Sequence, residues 1–381
     1  MPDDRQRLID LIADLVAIDS VNPGLQPGAA GEAEIARYIA AWLERAGLEV
    51  ALEACAPGRP NVVGRVRGTR GGPTVMLNGH TDTVDYIGMD APLTPRIVGN
   101  RLYGRGAWDM KGPLAAAMVA AARLAANPPA GDVLLTAVVD EEFASIGTEG
   151  IAARHQAAAA IIAEPTDMEL CIAHRGFLWL EVTTHGRAAH GSRPEIGRDA
   201  ITRMGPVLTG LAALDARLRA GEGHPLLGPG SVHAGTIAGG TGLSTYPESC
   251  TVTIERRTIP GETRAQVEGE IIALLDAARA ADPEWRGEFR TTFERPPFEV
   301  APDAAIVRAT RAAATTVLGA EPPLIGIPAW MDSAILDAVG IPSVIIGPRG
   351  EGAHALEEWV DLEDCVRCVD IYEAAVRGFQ G

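Results

Sequence analysis

Two periodicities alternate along the first part of the chain. Apolar residues recur at helical spacing near Asp4–Ile18 and Gly31–Ala46, and β-rich runs follow at Asn61–Arg67 and Thr74–Leu77. A further helix is expected over Pro113–Ala126, rich in Ala, Leu and Met, with its proline in the first turn where the missing N–H costs nothing. Val133–Val139 and Ala159–Ala163 are apolar runs bounded by Gly, Pro or acidic residues, which marks short buried strands. Strands separated by helices imply an α/β fold with a largely parallel sheet and flanking helices.

The pattern changes near Ala173. Phe177–Thr184 alternates in strand fashion, a helix follows at Asp199–Arg219, and strands are expected near Ser231–Ile237 and Ser249–Arg257. Gln266–Ala281 is helical and Gly287–Glu294 strand-like, so the order is βαββαβ, a small α+β layer with helices on one sheet face. From Asp303 a helix, the strand Ser343–Ile346 and a final helix over Asp361–Val376 resume the first pattern. The expected organisation is an α/β domain in two parts, residues 1–172 and 296–381, flanking an inserted domain over residues 173–295.

Composition narrows the function classes. A length of 381 residues suits two cores, and 47% apolar with 22% charged residues is a globular balance. The N-terminal Met-Pro-Asp-Asp-Arg-Gln-Arg places charge where a signal peptide needs an apolar run, and no stretch has the roughly 18 apolar residues of a membrane span. A cytoplasmic protein without a membrane partner is expected. The formal net charge of −17 would repel a phosphate backbone, which argues against nucleic acid as a partner. Cys55, Cys171, Cys250, Cys365 and Cys368 are odd in number and scattered, unlike a disulfide framework. Cys365 and Cys368 form a C-x-x-C, but on the amphipathic final helix they read as small buried residues.

The chemistry lies beyond the strands. Thr74–Leu77 runs into Asn78-Gly79-His80-Thr81-Asp82, Val133–Val139 into Asp140-Glu141-Glu142, Ala159–Ala163 into Glu164, and Ser343–Ile346 into a glycine-rich loop ending at His354. Asp109 comes from the loop Gly104–Gly112 before a helix. In a parallel sheet the C-terminal strand ends share the edge where ligands bind, so these clusters can converge. Histidines and carboxylates without cysteine suit catalytic zinc, cobalt or manganese better than a structural thiolate site. Two such metals about 3.5–4 Å apart can hold a hydroxide near neutral pH. Adjacent Glu141 and Glu142 can divide the labour, one on the metal and one on the water. Asp82, two residues after His80, is positioned to hold the imidazole tautomer. Carboxylates after strands often cap helices, but capping does not require three in succession. His155, His174, His185 and His224 are read as structural or surface residues.

From about Leu8 to Val376 the chain resembles the co-catalytic zinc family of acetylornithine deacetylase, succinyl-diaminopimelate desuccinylase, aminoacylase and carboxypeptidase G. The resemblance rests on Gly79-His80-Thr81-Asp82-Thr83-Val84, Leu102-Tyr103-Gly104-Arg105-Gly106 through Asp109-Met110-Lys111-Gly112, Asp140-Glu141-Glu142 and Ala353-His354. It implies two zinc ions, one held by His80, Asp109 and Glu164, the other by Asp109, Glu142 and His354. Glu141 matches the general base and Asp82 the orienting carboxylate. A cis peptide is implied at Asp109–Met110. The inserted segment resembles a lid and dimerisation domain, in which His190 polarises the scissile carbonyl across a homodimer and Arg257 binds the substrate carboxylate. Where many members carry asparagine, this chain has Ser244, three residues before Pro247; serine is shorter and has one donor.

The expected function is therefore hydrolysis of the amide bond of a small N-acyl amino acid by zinc-bound hydroxide, with Glu141 as base. The alternatives are a dipeptidase or carboxypeptidase of the same family and, from a different class, a non-catalytic binding protein on the same fold. Dimerisation is expected through an edge strand of the inserted domain, Phe177–Thr184 or Ser231–Ile237.

Overall fold

A computed structural model describes residues 2–381, which form two compact units. The first comprises residues 2–172, Val300–Ile325 and Met331–Gly381; the second comprises Ala173–Glu299 and Gly326–Trp330.

The first unit is built on a mixed sheet. Its strand order is Glu49–Ala56, Arg59–Val66, Gly131–Val138, Gly72–His80, Ala159–Ile162, Ser343–Ile345 and Leu170–His174. The four strands from Gly131–Val138 to Ser343–Ile345 are mutually parallel, and their neighbours on either side are antiparallel. The anticipated α/β sheet is thus present, with antiparallel additions at its margins. Helix Gly112–Ala126 is apolar around its whole circumference and almost fully buried, as a helix enclosed on all sides must be. The final helix Leu362–Gly378 packs on it, burying Cys365 and Cys368 as free thiols. A smaller antiparallel sheet orders Gly350–Glu351, Trp359–Asp361, Arg101–Tyr103 and Arg96–Val98.

The second unit is a four-stranded antiparallel sheet ordered Ser231–Gly239, Ser249–Thr258, Gly176–His185 and Arg286–Arg295. Its helices are Ala200–Arg219 and Arg264–Ala281. Leu178, Leu180, Val182, Val252 and Ile254 meet Met204, Val207, Leu211, Ile271 and Leu275 in its core. The Asp199 carboxylate caps the first helix through the Ile201 and Thr202 N–H groups, and Thr263 with Gln266 forms a reciprocal capping box on the second. Of the two strands anticipated as edges, only Ser231–Gly239 is one. Gly176–His185 lies inside, paired on both sides, because Leu178, Leu180 and Val182 must face the helices from the middle of the sheet. From His233 to Gly239 the edge strand is exposed on both faces. Among the described residues, no helix is long and apolar enough to cross a membrane.

Candidate active site

The register of the parallel strands assembles the site. His80 ends Gly72–His80 and stands opposite Val138 on one side, while Asn78 stands opposite Ile162 on the other. The chain beyond Val138 supplies Asp140, Glu141 and Glu142, and the chain beyond Ile162 supplies Glu164, so both arrive beside His80. Gly79 makes room here: a Cβ at that position would lie 2.7 Å from the Met110 methyl. Asp109 is presented by the turn following Gly106, which adopts φ 77°. The Asp109–Met110 peptide is cis. His354 comes from the loop joining Gly350–Glu351 to Trp359–Asp361 and has φ 60°.

The ligand atoms of these side chains form two overlapping groups. His80, Asp109 and Glu164 make one, and Asp109, Glu142 and His354 the other, with the atoms of each within 4.8 Å of one another. His80 Nε2 lies 3.1 Å from Asp109 Oδ1 and 3.5 Å from Glu164 Oε1. His354 Nε2 lies 3.0 Å from Glu142 Oε2 and 3.5 Å from Asp109 Oδ2. Asp109 therefore turns one oxygen to each group.

Asp82 meets His80 through two of its atoms. Its main-chain carbonyl accepts from His80 Nδ1 at 2.9 Å, whereas its carboxylate is 3.6 Å from that nitrogen. With Nδ1–H donated to a carbonyl, Nε2 is the ring atom turned to Asp109 and Glu164; it donates to Asp109 here and would offer a lone pair to a cation that displaced its proton. The Asp82 carboxylate instead accepts from the main-chain N–H groups of Glu141 and Glu142 and from Asn22 Nδ2.

Charge is crowded here. Burial, with help from Glu164, Asp332 and Glu142, pushes the Glu141 carboxyl well above its usual range. Burial and the charge of Asp109 raise Glu142 to about 7. Burial also raises Glu164, and it opposes ionisation of Asp109, yet hydrogen bonds from His354 and His80 hold that carboxyl below its ordinary value. Hydrogen bonds to Asp109 and Glu142 raise His354 to about 10. In His80, burial disfavours the cation, but Glu164, Asp109 and Asp82 outweigh it and raise the imidazole well above its normal range. Carboxylates that raise one another's pKa, gathered with two imidazole rings, form a donor set that fits divalent cations, which would take the place of the protons now shared among these groups.

Three contributors escaped the sequence reading. Asn22 Nδ2 donates to Asp82 and, at 3.1 Å, to Asp140. Asp332, buried and raised to about 6 by that burial, accepts from Thr148 Oγ1 at 2.6 Å and lies within electrostatic range of Glu141 and Glu164. Glu358 is buried behind Asp109. Their partners lie far away in sequence, and no local pattern distinguishes them.

The second unit holds the other anticipated residues at two separate places. His190 is exposed, with Nδ1 2.8 Å from Ser192 Oγ, and its Nε2 has no partner among the described residues. Ser244 lies beside it: its carbonyl accepts from Gly191 N–H at 2.7 Å, and Thr245 bridges to His190. Arg257 is at the opposite end of the sheet, eight residues along Ser249–Thr258 from Ser249, or about 26 Å at the usual strand rise. Its Nε donates to Glu255 Oε1 at 2.7 Å and its guanidinium lies over Phe177.

Comparison with known proteins places the chain. Residues 76–378 match Peptidase family M20/M25/M40, and the chain belongs to that family. It is a hydrolytic enzyme acting on amide bonds. It is 28% identical to the N-formyl-4-amino-5-aminomethyl-2-methylpyrimidine deformylase of Bacillus subtilis (strain 168), over 96% of this chain and 93% of the relative. It is also 28% identical to the acetylornithine deacetylase of Myxococcus xanthus, over the full length of both. Among solved structures it resembles the Bacillus subtilis YXEP protein, described as a dinuclear metal-binding peptidase, with a TM-score of 0.77, 18% identity, and coverage of 100% of this chain and 99% of the other.

Proposed function

We propose that this chain hydrolyses the amide bond of an N-acyl amino acid, with two divalent cations, zinc foremost, held by His80, Asp109 and Glu164 and by Asp109, Glu142 and His354. The observation that carries this reading is the pair of donor groups sharing Asp109, with Glu141 beside them. Bound cations supply Lewis acidity and lower the pKa of water. A Glu141 carboxylate oxygen takes the proton of the attacking water and returns it to the leaving nitrogen. Asp82 holds the Glu141 main chain through its N–H.

The inserted domain, residues 173–295, supplies the remaining contacts. His190 Nε2 donates to the carbonyl oxygen, Ser244 lies next to it, and the Arg257 fork binds the substrate carboxylate. The separation of Arg257 from His190 along one sheet supports a division between subunits: a small substrate meets Arg257 of one copy and His190 with Ser244 of the other. The exposed edge Ser231–Gly239 supports two-fold association of the inserted domains.

The similarity to an acetylornithine deacetylase over the full length of both chains supports an acyl-amino acid as substrate. Metal-reconstituted enzyme should be assayed on formyl-, acetyl- and succinyl-amino acids beside a dipeptide panel. Higher kcat/KM on an acyl-amino acid is the expected result; faster cleavage of dipeptides would move the assignment to a dipeptidase or carboxypeptidase.

A further inference from the structure

We propose that Glu358 is a positioning residue that ties Asp109 to the His354 loop and thereby sets the cation affinity of the Asp109–Glu142–His354 group. This rests on the two-cation reading above.

The Glu358 carboxylate is 1% exposed and fully subscribed. Its Oε1 accepts from the main-chain N–H groups of Trp108 at 2.9 Å and Asp109 at 3.0 Å. Its Oε2 accepts from Gly106 N–H at 2.9 Å and Arg105 Nη1 at 2.8 Å. Four donors on two oxygens use all the in-plane acceptor positions of a carboxylate. Three of them belong to the turn that presents Asp109, so a single side chain holds that turn by its main chain.

The same residue belongs to the segment that carries His354. Glu358 O accepts from Gly104 N–H at 3.1 Å, and Arg105 Nη2 donates to Ala355 O at 2.8 Å. Immediately beyond, Trp359–Asp361 pairs with Arg101–Tyr103. Residues 104–109 and 355–361 are therefore clamped together, and the clamp fixes the spacing of Asp109 Oδ2 and His354 Nε2.

The two donor groups depend on this clamp unequally. His80 lies within a strand and its ring is anchored by the Asp82 carbonyl, while Glu164 directly follows another strand. His354 is on a loop, its side chain 56% exposed, and its ring contacts are Asp109 and Glu142. Loosening Glu358 frees Asp109, which both groups share, but only the His354 group also loses the placement of its histidine loop, so that group should weaken more than the His80 group.

The test places Glu358→Gln in two backgrounds. His80→Ala leaves the His354 group as the better site, and His354→Ala leaves the His80 group. The amide is isosteric but turns a donor toward donors. Zinc affinity is measured by competition with a chromophoric chelator, and folding by far-UV circular dichroism. The expected result is a 10–100-fold loss in the His80→Ala background, the usual range for residues that support a ligand, and a several-fold smaller loss in the His354→Ala background. Equal losses in both, which a merely structural role would give, or no loss in either, overturns the proposal. If Glu358→Gln does not fold, Arg105→Gln in the same backgrounds decides. It removes one donor and the Ala355 contact, and should weaken only the His354 group, by several-fold. Wild-type protein binding fewer than two equivalents would sink the two-cation reading itself, and this inference with it.

Discussion

The carboxylate of Asp82 holds the main chain of Glu141: Oδ1 accepts from Glu141 N–H at 3.1 Å, while Oδ2 accepts from Glu142 N–H at 3.2 Å and from Asn22 Nδ2 at 2.7 Å. The Asp82 carbonyl meanwhile orients His80. One residue thus aligns a proposed base and a proposed ligand, through different atoms. Glu141→Gln should leave this scaffold and both cation groups intact but remove the proton acceptor. Turnover should fall about 10²–10⁴-fold with two equivalents of metal retained. Elemental analysis beside initial rates checks it; near-normal rates at full metal content would remove Glu141 from the mechanism.

Asp109 faces both donor groups, whereas His80 and His354 each face one. Asp109→Ala should lose both cations, and His80→Ala and His354→Ala should each weaken mainly one. Two equivalents bound to Asp109→Ala at wild-type affinity would contradict the shared role.

Stripping the metal should make stability fall as pH rises. Glu142 is raised to about 7, against about 4.3 for a free glutamate, so the stripped fold holds a proton that the unfolded chain has released. His354, raised to about 10, acts in the same direction: its contribution is complete below about 6.5 and is lost as pH approaches its folded value. Asp109 has the opposite sign, but its lowered pKa matters only in acid. Metal binding itself strengthens as its ligands lose protons. The gap in Tm between metal-loaded and chelator-treated protein should widen from pH 6 to pH 8. A gap that narrows would count against this account.

Arg59 bridges two buried carboxylates behind the site. Its Nε donates to Glu32 Oε2 at 2.8 Å, and Nη2 pairs with Glu32 and, at 2.8 Å, with Asp140 Oδ1. Arg59→Met would leave both acids without their cation, and losing one partner of a buried ion pair costs about 3–5 kcal/mol. Urea unfolding of metal-loaded protein should show that loss; a change below about 1 kcal/mol would mean that water replaces the guanidinium.

A shared active site predicts complementation. Glu141→Ala and His190→Ala should each be inactive, and mixing them after dissociation should restore activity, because one site of the mixed dimer then has both residues. With subunit exchange shown independently, a mixture that stays inactive would assign His190 to its own chain.

Alternation and apolar runs were enough to find the four parallel strands, because a strand buried on both faces is apolar at nearly every position. They stopped short at Leu77, where the strand continues to His80 through polar Asn78, which is paired inside the ladder with Thr136 and Ile162. The strand Glu49–Ala56 was passed over because it is a half-exposed edge with little contrast between its faces. Strand order was not readable either. The alternation in Phe177–Thr184 separates its two faces, but whether a strand has one neighbour or two depends on pairings with Ser249–Thr258 and Arg286–Arg295, more than sixty residues on. The acidic and histidine clusters stood out because they repeat one local arrangement, strand then ligand type. Asn22, Asp332 and Glu358 lack such an arrangement: each is an ordinary polar residue until the fold encloses it.

The ladder that places His80 opposite Val138 has one further consequence. Slipping either neighbouring strand by one residue would turn its side chains to the other face and carry Glu142 or Glu164 away from His80. A misregistered chain could be compact and well packed and still fail to gather a complete donor set. On the two-cation proposal, cation binding would favour only the correctly aligned conformer and so would act as a proofreader of sheet assembly.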